Sequence, residues 1–334
     1  MVLVTGSAGF IGFHVSLRLL KEGHAVHGID NLNDYYDVSL KEARTRILES
    51  KKRFTFHRTD LCDAGGIAKV FERAKPSLVI HLAAQAGVRH SLSNPRAYAD
   101  SNLIGFLNLL EGCRAHPPGH LVFASSSSVY GLDSDLPFSV HGPTDHPVSF
   151  YAATKKANEL MAHSYSHLFG IPTTGVRLFT TYGPWGRPDM ALFAFTKAIL
   201  GGKPIEIFGD GTMRRDYTYV DDVVEGILRL ARRPAAPNPS WNSLKPDPAS
   251  SSAPFRLYNI GNHSTIEVLR LIEILEGCLK KKADRLFVAA QACEVQAAVA
   301  DASDLERDTG YRPTTPLETG VARFVEWYQD YYRT

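Results

Sequence analysis

Seven residues near the start, Gly6-Ser7-Ala8-Gly9-Phe10-Ile11-Gly12, constrain the fold more than any other stretch of the 334-residue chain. An apolar run at residues 2–5 precedes them, and residues 10–20 carry apolar side chains at helical spacing. Strand, tight turn and helix are therefore expected in that order, with glycine permitting the turn and a close approach of helix to strand. The same alternation continues. Strands are expected at 25–30, 54–60, 78–83 and 121–125, and helices at 40–49 and 67–73. Strands that alternate with helices build a parallel sheet covered on both faces.

The expected class is thus α/β, a Rossmann-like doubly wound parallel sheet followed by a smaller mixed α/β C-terminal domain. Regular alternation fades after residue 176, where clusters such as Tyr182-Gly183-Pro184-Trp185-Gly186-Arg187-Pro188 take over. We place the first domain at 1–176 and the second mainly at 177–334, with short later segments returning to the first sheet. The stretch 234–254 is rich in Pro, Ser and Ala and is read as a surface loop, because a strand at 255–260 and a helix follow it. A helix at 317–331 closes the chain.

Composition excludes several classes. Lys plus Arg number 37 against 35 Asp plus Glu, a net charge of +2 without a long basic or acidic run, so nucleic acid is not an expected partner. Cys62, Cys113, Cys278 and Cys293 form no CxxC pair, which argues against a zinc site or disulfide framework and for a reducing cytoplasm; no metal is expected. No apolar run approaches the roughly 18 residues of a membrane span, and with the glycine turn so close to residue 1 no leader peptide is expected.

The glycine turn opening a helix is also a place for a pyrophosphate, which would meet free backbone N–H groups and the positive end of the helix dipole. Gly6, Gly9 and Gly12 are spaced GxxGxxG rather than GxGxxG, so the context matters. Asp30 closes the second expected strand 18 residues after Gly12, where its carboxylate can accept the adenosine ribose hydroxyls. A 2′-phosphate would be repelled there and no Arg follows immediately, so NAD is preferred to NADP. Asp60-Leu61 and Leu82-Ala83-Ala84 stand at the ends of two further strands, facing the same crevice.

Tyr151 and Lys155 stand one helical turn apart in a helix expected to reach Phe169. The lysine's charge, with that of the nicotinamide ring, would lower the tyrosine pKa and make Tyr151 a proton acceptor. The strand before it ends in Ser125-Ser126-Ser127-Ser128-Val129-Tyr130-Gly131. Glycine turn, serine-rich strand end and YxxxK, in this order, resemble the extended short-chain dehydrogenase/reductase family, whose members act mainly on nucleotide sugars. The resemblance covers nearly the whole chain. It implies that Ser126 assists Tyr151 and Lys155 at the reacting hydroxyl and that Lys155 holds the nicotinamide ribose. It also places Phe10, Ile11, Asn31, Asn102, Ser125 and Phe179 against the cofactor. Family members commonly dimerise through the helix bearing the Tyr and the one before it, here about residues 102–114, so a homodimer is expected.

Within the family, dehydratases resemble one another in an Asp-Glu pair after the assisting hydroxyl, and UDP-glucuronate decarboxylases in a Glu at the second position. This chain has Ser127 and Ser128 there. No acid–base pair beyond Tyr151 is present, so oxidation followed by re-reduction is the expected chemistry. Gln85-Ala86-Gly87-Val88-Arg89, the serine string, the segment from Tyr182 to Met190 and Met213-Arg214-Arg215-Asp216-Tyr217 resemble the UDP-glucuronate 4-epimerases specifically. A uronate needs a cation and hydroxyl donors for its carboxylate. Arg187 is the first candidate for the cation and Arg89 the fallback, with Ser127, Ser128 and Thr180 as donors. The resemblance sets Arg215 at the diphosphate and Gln85 and Met190 beside the UDP-sugar. One segment departs from the family pattern: Gln291-Ala292-Cys293-Glu294-Val295 replaces a Pro-Gly-Asp turn, and the backbone is expected to differ there. The alternatives are a UDP-glucuronate decarboxylase, a UDP-hexose 4-epimerase, and a non-catalytic NAD-sensing protein, the last disfavoured by the intact Ser126, Tyr151 and Lys155.

Overall fold

The computed structural model describes residues 1–132, 135–291 and 295–334. Its first half runs β1 (Val2–Thr5), α1 (Phe10–Lys21), β2 (Val26–Asp30), α2 (Val38–Glu49), β3 (Phe54–Arg58), α3 (Ala64–Ala74) and β4 (Leu78–His81). Two short helices, α4 (His90–Ser93) and α5 (Pro95–Tyr98), lead through a π-helical turn, Ala99–Ile104, into α6 (Gly105–Ala115). Then come β5 (His120–Ser126), a 3-10 turn at Ser127–Tyr130, α7 (Phe150–Phe169), β6 (Thr173–Leu178) and β7 (Thr180–Tyr182). The remainder comprises α8 (Ala191–Leu200), β8 (Ile205–Phe208), β9 (Arg214–Tyr219), α9 (Val220–Ala231), β10 (Phe255–Ile260), β11 (Thr265–Glu267), α10 (Val268–Leu279), β12 (Arg285–Val288), β13 (Ala297–Ala298), α11 (Ser303–Thr309) and α12 (Leu317–Tyr332).

Seven parallel strands form the main sheet in the order β10-β6-β5-β4-β1-β2-β3. Each strand's period of two divides its side chains between two cores. Val2, Val4, Ile80 and Val122 face the layer holding α1 and α9, whereas Leu3, Val79, Leu121 and Phe123 face the layer holding α3, α6 and α7. The α/β class expected from the sequence is the one observed. Two expected strands end earlier: β3 stops at Arg58 and β4 at His81, so Asp60-Leu61 and Leu82-Ala83-Ala84 lie in the loops beyond them. The loop after β4 opens where the strand order reverses, between β1 and β4, the place where a doubly wound sheet leaves a crevice, and the loop after β3 lies at the edge of the sheet on the β1 side.

Smaller sheets stand beside the C-terminal edge of the large one. β9 pairs with β11, β13 and β7, and β8 pairs with β12. The loop 234–254 contains no helix or strand, but its second half is not a solvated surface. Ala249 and Ala253 join the core beneath α7, and the Ser251 hydroxyl meets His163 Nε2 at 2.9 Å. The departure from the family pattern at Ala292–Glu294 lies outside the described residues, while Val295 beside it packs against the cluster of Tyr130, Phe138 and Phe179. No helix among the described residues is long and apolar enough to cross a membrane.

Candidate active site

The crevice is built from backbone. Gly6 has φ +70°, and a Cβ there would stand 2.8 Å from the Ala83 nitrogen, so β1 and β4 can release their chains side by side only without a side chain. A Cβ on Gly12 would fall 2.0 Å from the Gly6 carbonyl oxygen, so α1 can begin directly over the turn. The result is a narrow cradle at a helix N-terminus, which fits a dinucleotide pyrophosphate. Asp30 accepts N–H bonds from Ala8 at 3.1 Å and Leu32 at 2.9 Å, each oxygen keeping a lone pair for a ribose hydroxyl. Burial pushes its carboxyl above the usual range against the pull of the Leu32 N–H and Lys41. At Asp60 burial is outweighed: bonds from Asn31 Nδ2 at 2.7 Å and the Cys62 N–H at 2.8 Å hold the carboxyl below the usual range.

All the cofactor residues expected from the sequence line this cavity of about 340 Å³ except Asn102. Asn102 is buried, accepts the Gln85 N–H at 2.8 Å, and donates to the Gln85 carbonyl and the Thr154 hydroxyl at 3.0 Å each. It pins the loop after β4 to α7 rather than facing the crevice. Both ends of its amide are engaged by its neighbours.

Tyr151 and Lys155 come together as one face of α7, whose N-terminus is capped by Ser149 accepting the Ala152 N–H at 3.1 Å. Lys155 donates to the Ala124 carbonyl at 2.7 Å, and burial lowers its ammonium to about 8 while Glu159 opposes the fall. Burial pushes the Tyr151 phenol up, opposed by a hydrogen bond with Ser126 and by the charge of Arg187. The Lys155 ammonium is turned to the end of β5, and the charge of Arg187 also reaches the phenol. Ser126 also accepts the Ser128 N–H at 3.1 Å and touches the Ser128 hydroxyl at 3.1 Å.

A second cavity, about 790 Å³, adjoins the first; Ser127, Ser128, Thr180, Arg187 and Met190 line both. Gln85, Ser126 and Tyr151 face the first, and Arg89 and Arg215 the second, so every expected substrate residue lies on one wall or the other. The candidate cations are not equivalent. Arg187 donates from Nε and Nη2 to the Asp189 carboxylate at 3.0 and 2.5 Å, and Asp189 also accepts from the Tyr35 hydroxyl at 3.1 Å. Burial works against the Arg187 charge, but Asp189 outweighs it and holds the guanidinium above its ordinary value. The Arg89 guanidinium lies 3.6 Å from the centre of the Phe208 ring, and Arg215 donates to the Arg214 carbonyl at 2.9 Å. Arg214 itself turns outward to Glu267 at 3.1 Å.

A profile of the NAD dependent epimerase/dehydratase family matches residues 2–242. The chain belongs to that family. Protein CapI of Staphylococcus aureus is 51% identical over 332 residues, covering 99% of both chains. A probable UDP-glucuronate 4-epimerase of Rhizobium meliloti is 48% identical, covering 99% of this chain and 97% of its own. Among solved structures, the UDP-glucuronic acid 4-epimerase from Bacillus cereus in complex with UDP-glucuronic acid and NAD superposes with a TM-score of 0.88 at 33% identity, over 99% of each chain.

As an epimerase/dehydratase-family protein, the chain joins its two cavities through residues the sequence reading missed. Arg44 on α2 is fully buried and donates to the Ala8 carbonyl in the glycine turn at 2.8 Å and to the Trp185 carbonyl at 2.6 Å. It ties the cofactor cradle to the loop that carries Arg187. Trp185, at φ +62°, packs between Phe13, Trp327 and Tyr331, so this member of the conspicuous aromatic string is a seam and not a ligand wall. Tyr35 could have been suspected from its place just after Asp30. Arg44 left no signal, since the Ala8 and Trp185 carbonyls it joins lie 36 and 141 residues away.

Proposed function

We propose that this chain is a UDP-glucuronate 4-epimerase interconverting UDP-glucuronate and UDP-galacturonate. The observation that carries the reading is the junction of the two cavities, where Ser127, Ser128, Thr180 and Arg187 gather hydroxyl donors and a cation next to Tyr151. That wall suits a carboxylate on C6 of the sugar, and the two positions after Ser126 are serines rather than acids that could eliminate water. The similarity to epimerases of UDP-glucuronate supports it over the full length of the chain.

NAD, when bound, would supply the acceptor and donor of the C4 hydride. The chain's own residues do the rest. Tyr151 takes the 4-hydroxyl proton, with Ser126 sharing a hydrogen bond and Lys155 holding the end of β5 through Ala124. The larger cavity gives the 4-keto sugar room to turn while its nucleotide stays held, so binding strength falls on the UDP and the sugar contacts accept two poses. That intermediate is a β-keto acid, which loses CO2 when its carboxylate stands perpendicular to the ketone. Hydroxyls of Ser127, Ser128 and Thr180 would hold the carboxylate out of that alignment. Arg187, already engaged by Asp189, adds charge from one side.

On this reading residues 1–176 chiefly hold NAD and 177–334 chiefly the UDP-sugar. Apolar Ile104, Leu107, Leu160 and Leu168, exposed along α6, α7 and the turn before them, favour a homodimer through these helices. Free thiols at Cys62, Cys113 and Cys278 suit the cytoplasm. The test is to incubate the purified protein, without added NAD, with UDP-glucuronate, UDP-glucose and UDP-N-acetylglucosamine separately and to identify products by proton NMR. Only UDP-glucuronate should convert, to UDP-galacturonate. UDP-xylose as main product would favour a decarboxylase, and conversion of UDP-glucose a hexose epimerase.

A further inference from the structure

Behind the catalytic face of α7 lies a buried ion pair that the chemistry above does not use. Glu159 follows Lys155 by one helical turn, and its carboxylate is 3% exposed. Arg177 on β6, with no exposed surface, grips it with Nε to Oε1 at 2.8 Å and Nη2 to Oε2 at 2.9 Å. The Ser125 hydroxyl donates to the same Oε1 at 2.6 Å. Ser125 sits between Ala124, whose carbonyl receives the Lys155 ammonium, and Ser126, which bonds Tyr151. The guanidinium in turn lies over the Tyr130 ring at 4.8 Å, and the Tyr130 hydroxyl donates to Asn259 Oδ1 at 2.7 Å, anchoring the pair to β10.

We infer that Glu159, with Arg177 as its counter-ion, is a positioning residue of the epimerisation site: it locks the end of β5 against α7 and supplies the negative charge that keeps Lys155 an ammonium. The inference rests on the epimerase reading above. Two features separate this pair from ordinary packing. A buried ion pair gives little net stability over apolar residues of similar volume, so its presence needs another reason. And the anion stands one turn from a lysine that burial drives toward neutrality, with Glu159 the opposing group. Other titratable groups near Lys155 do not take that part. His81 on β4 is held neutral by burial and by the Lys155 charge, at about 3, with its Nδ1 2.7 Å from the Thr5 hydroxyl. Tyr151 on α7 and Tyr98 on α5 are both phenols pushed upward by burial. Arg177 is a cation and lies behind Glu159.

The test measures Lys155 ionisation directly, on protein carrying carbon-13 at lysine Cε, with Lys155→Met to assign the resonance, alongside kcat against pH on UDP-glucuronate. In the wild type the midpoint should fall below the ordinary lysine value, at about 8, as burial of the ammonium requires. Glu159→Gln should lower it by about one pH unit, the scale of one neighbouring charge, and the alkaline limb of kcat should move with it. The sign follows from the charge: without the anion the ammonium gives up its proton at lower pH. Glu159→Asp, which keeps the charge, should restore the midpoint. Glu159→Gln/Arg177→Met, which leaves no charge stranded in the interior, keeps the test open if Glu159→Gln does not fold, and should lower the midpoint by less. An unchanged midpoint in the neutral variants, or a midpoint that moves while the kcat limb stays, overturns the inference. A midpoint that responds in a protein unable to convert UDP-glucuronate upholds the electrostatic role of Glu159 and overturns the substrate reading instead.

Discussion

The two cavities are made in different ways. The cofactor crevice is shaped by backbone: Gly6 and Gly12 leave no space even for a methyl group, and the carboxylates of Asp30 and Asp60 are fixed by backbone and amide N–H groups. The sugar cavity is more than twice as large and is shaped by side chains from short strands and loops, among them Thr180, Arg187 and Arg215. Such a division suits a catalyst that must keep one ligand still and let part of the other turn over. Rigidity costs no reorganisation where the pose is single, and a side-chain wall tolerates the two poses of a sugar.

The contrast can be broken at either wall. In the crevice the smallest possible change should have the larger effect. Gly12→Ala drives a Cβ into the Gly6 carbonyl at 2.0 Å, and the turn must open. With overpacking strain of about 1–3 kcal/mol, affinity for NAD should fall about 5- to 150-fold, seen as a lower content of nucleotide released on denaturing the purified protein. Normal NAD content would mean that the crevice yields as readily as the sugar wall. In the sugar cavity a far larger change should do less. Arg187→Ala should raise KM for UDP-glucuronate by about tenfold, the loss of a charge-assisted bond of roughly 1.5 kcal/mol, and let pentose by-product appear in the NMR spectrum. Part of that penalty comes from Asp189, left facing the uronate without its partner. Arg187→Ala/Asp189→Asn should recover some of the affinity. If the single variant behaves as wild type and makes no pentose, the hydroxyls alone hold the carboxylate.

These two regions also differ in how far the sequence discloses them. Crevice residues sit at the ends of elements, where a glycine or an acid has a local reason to be, and their positions follow from strand–turn–helix grammar. Tyr151, Lys155 and the serine string share that property, being fixed to one helix face and one strand end. Pairings across the chain are another matter. Glu159 with Arg177, Arg44 with Trp185 and Arg187 with Asp189 and Tyr35 are ordinary charges in the sequence until the fold brings them together. Asn102 likewise has partners that only the fold reveals, its amide meeting both the N–H and the carbonyl of Gln85. The bond from Lys155 to the Ala124 carbonyl is equally invisible in the i, i+4 spacing.

At the centre of the account is a site that returns the hydride it removes. UDP-glucuronate carrying deuterium at C4, incubated with the purified protein in ordinary water without added NAD, tests that directly. The account predicts UDP-galacturonate with deuterium still at C4, seen as the missing H4 signal in the proton spectrum and the retained mass. UDP-galacturonate with hydrogen from solvent at C4 would contradict it.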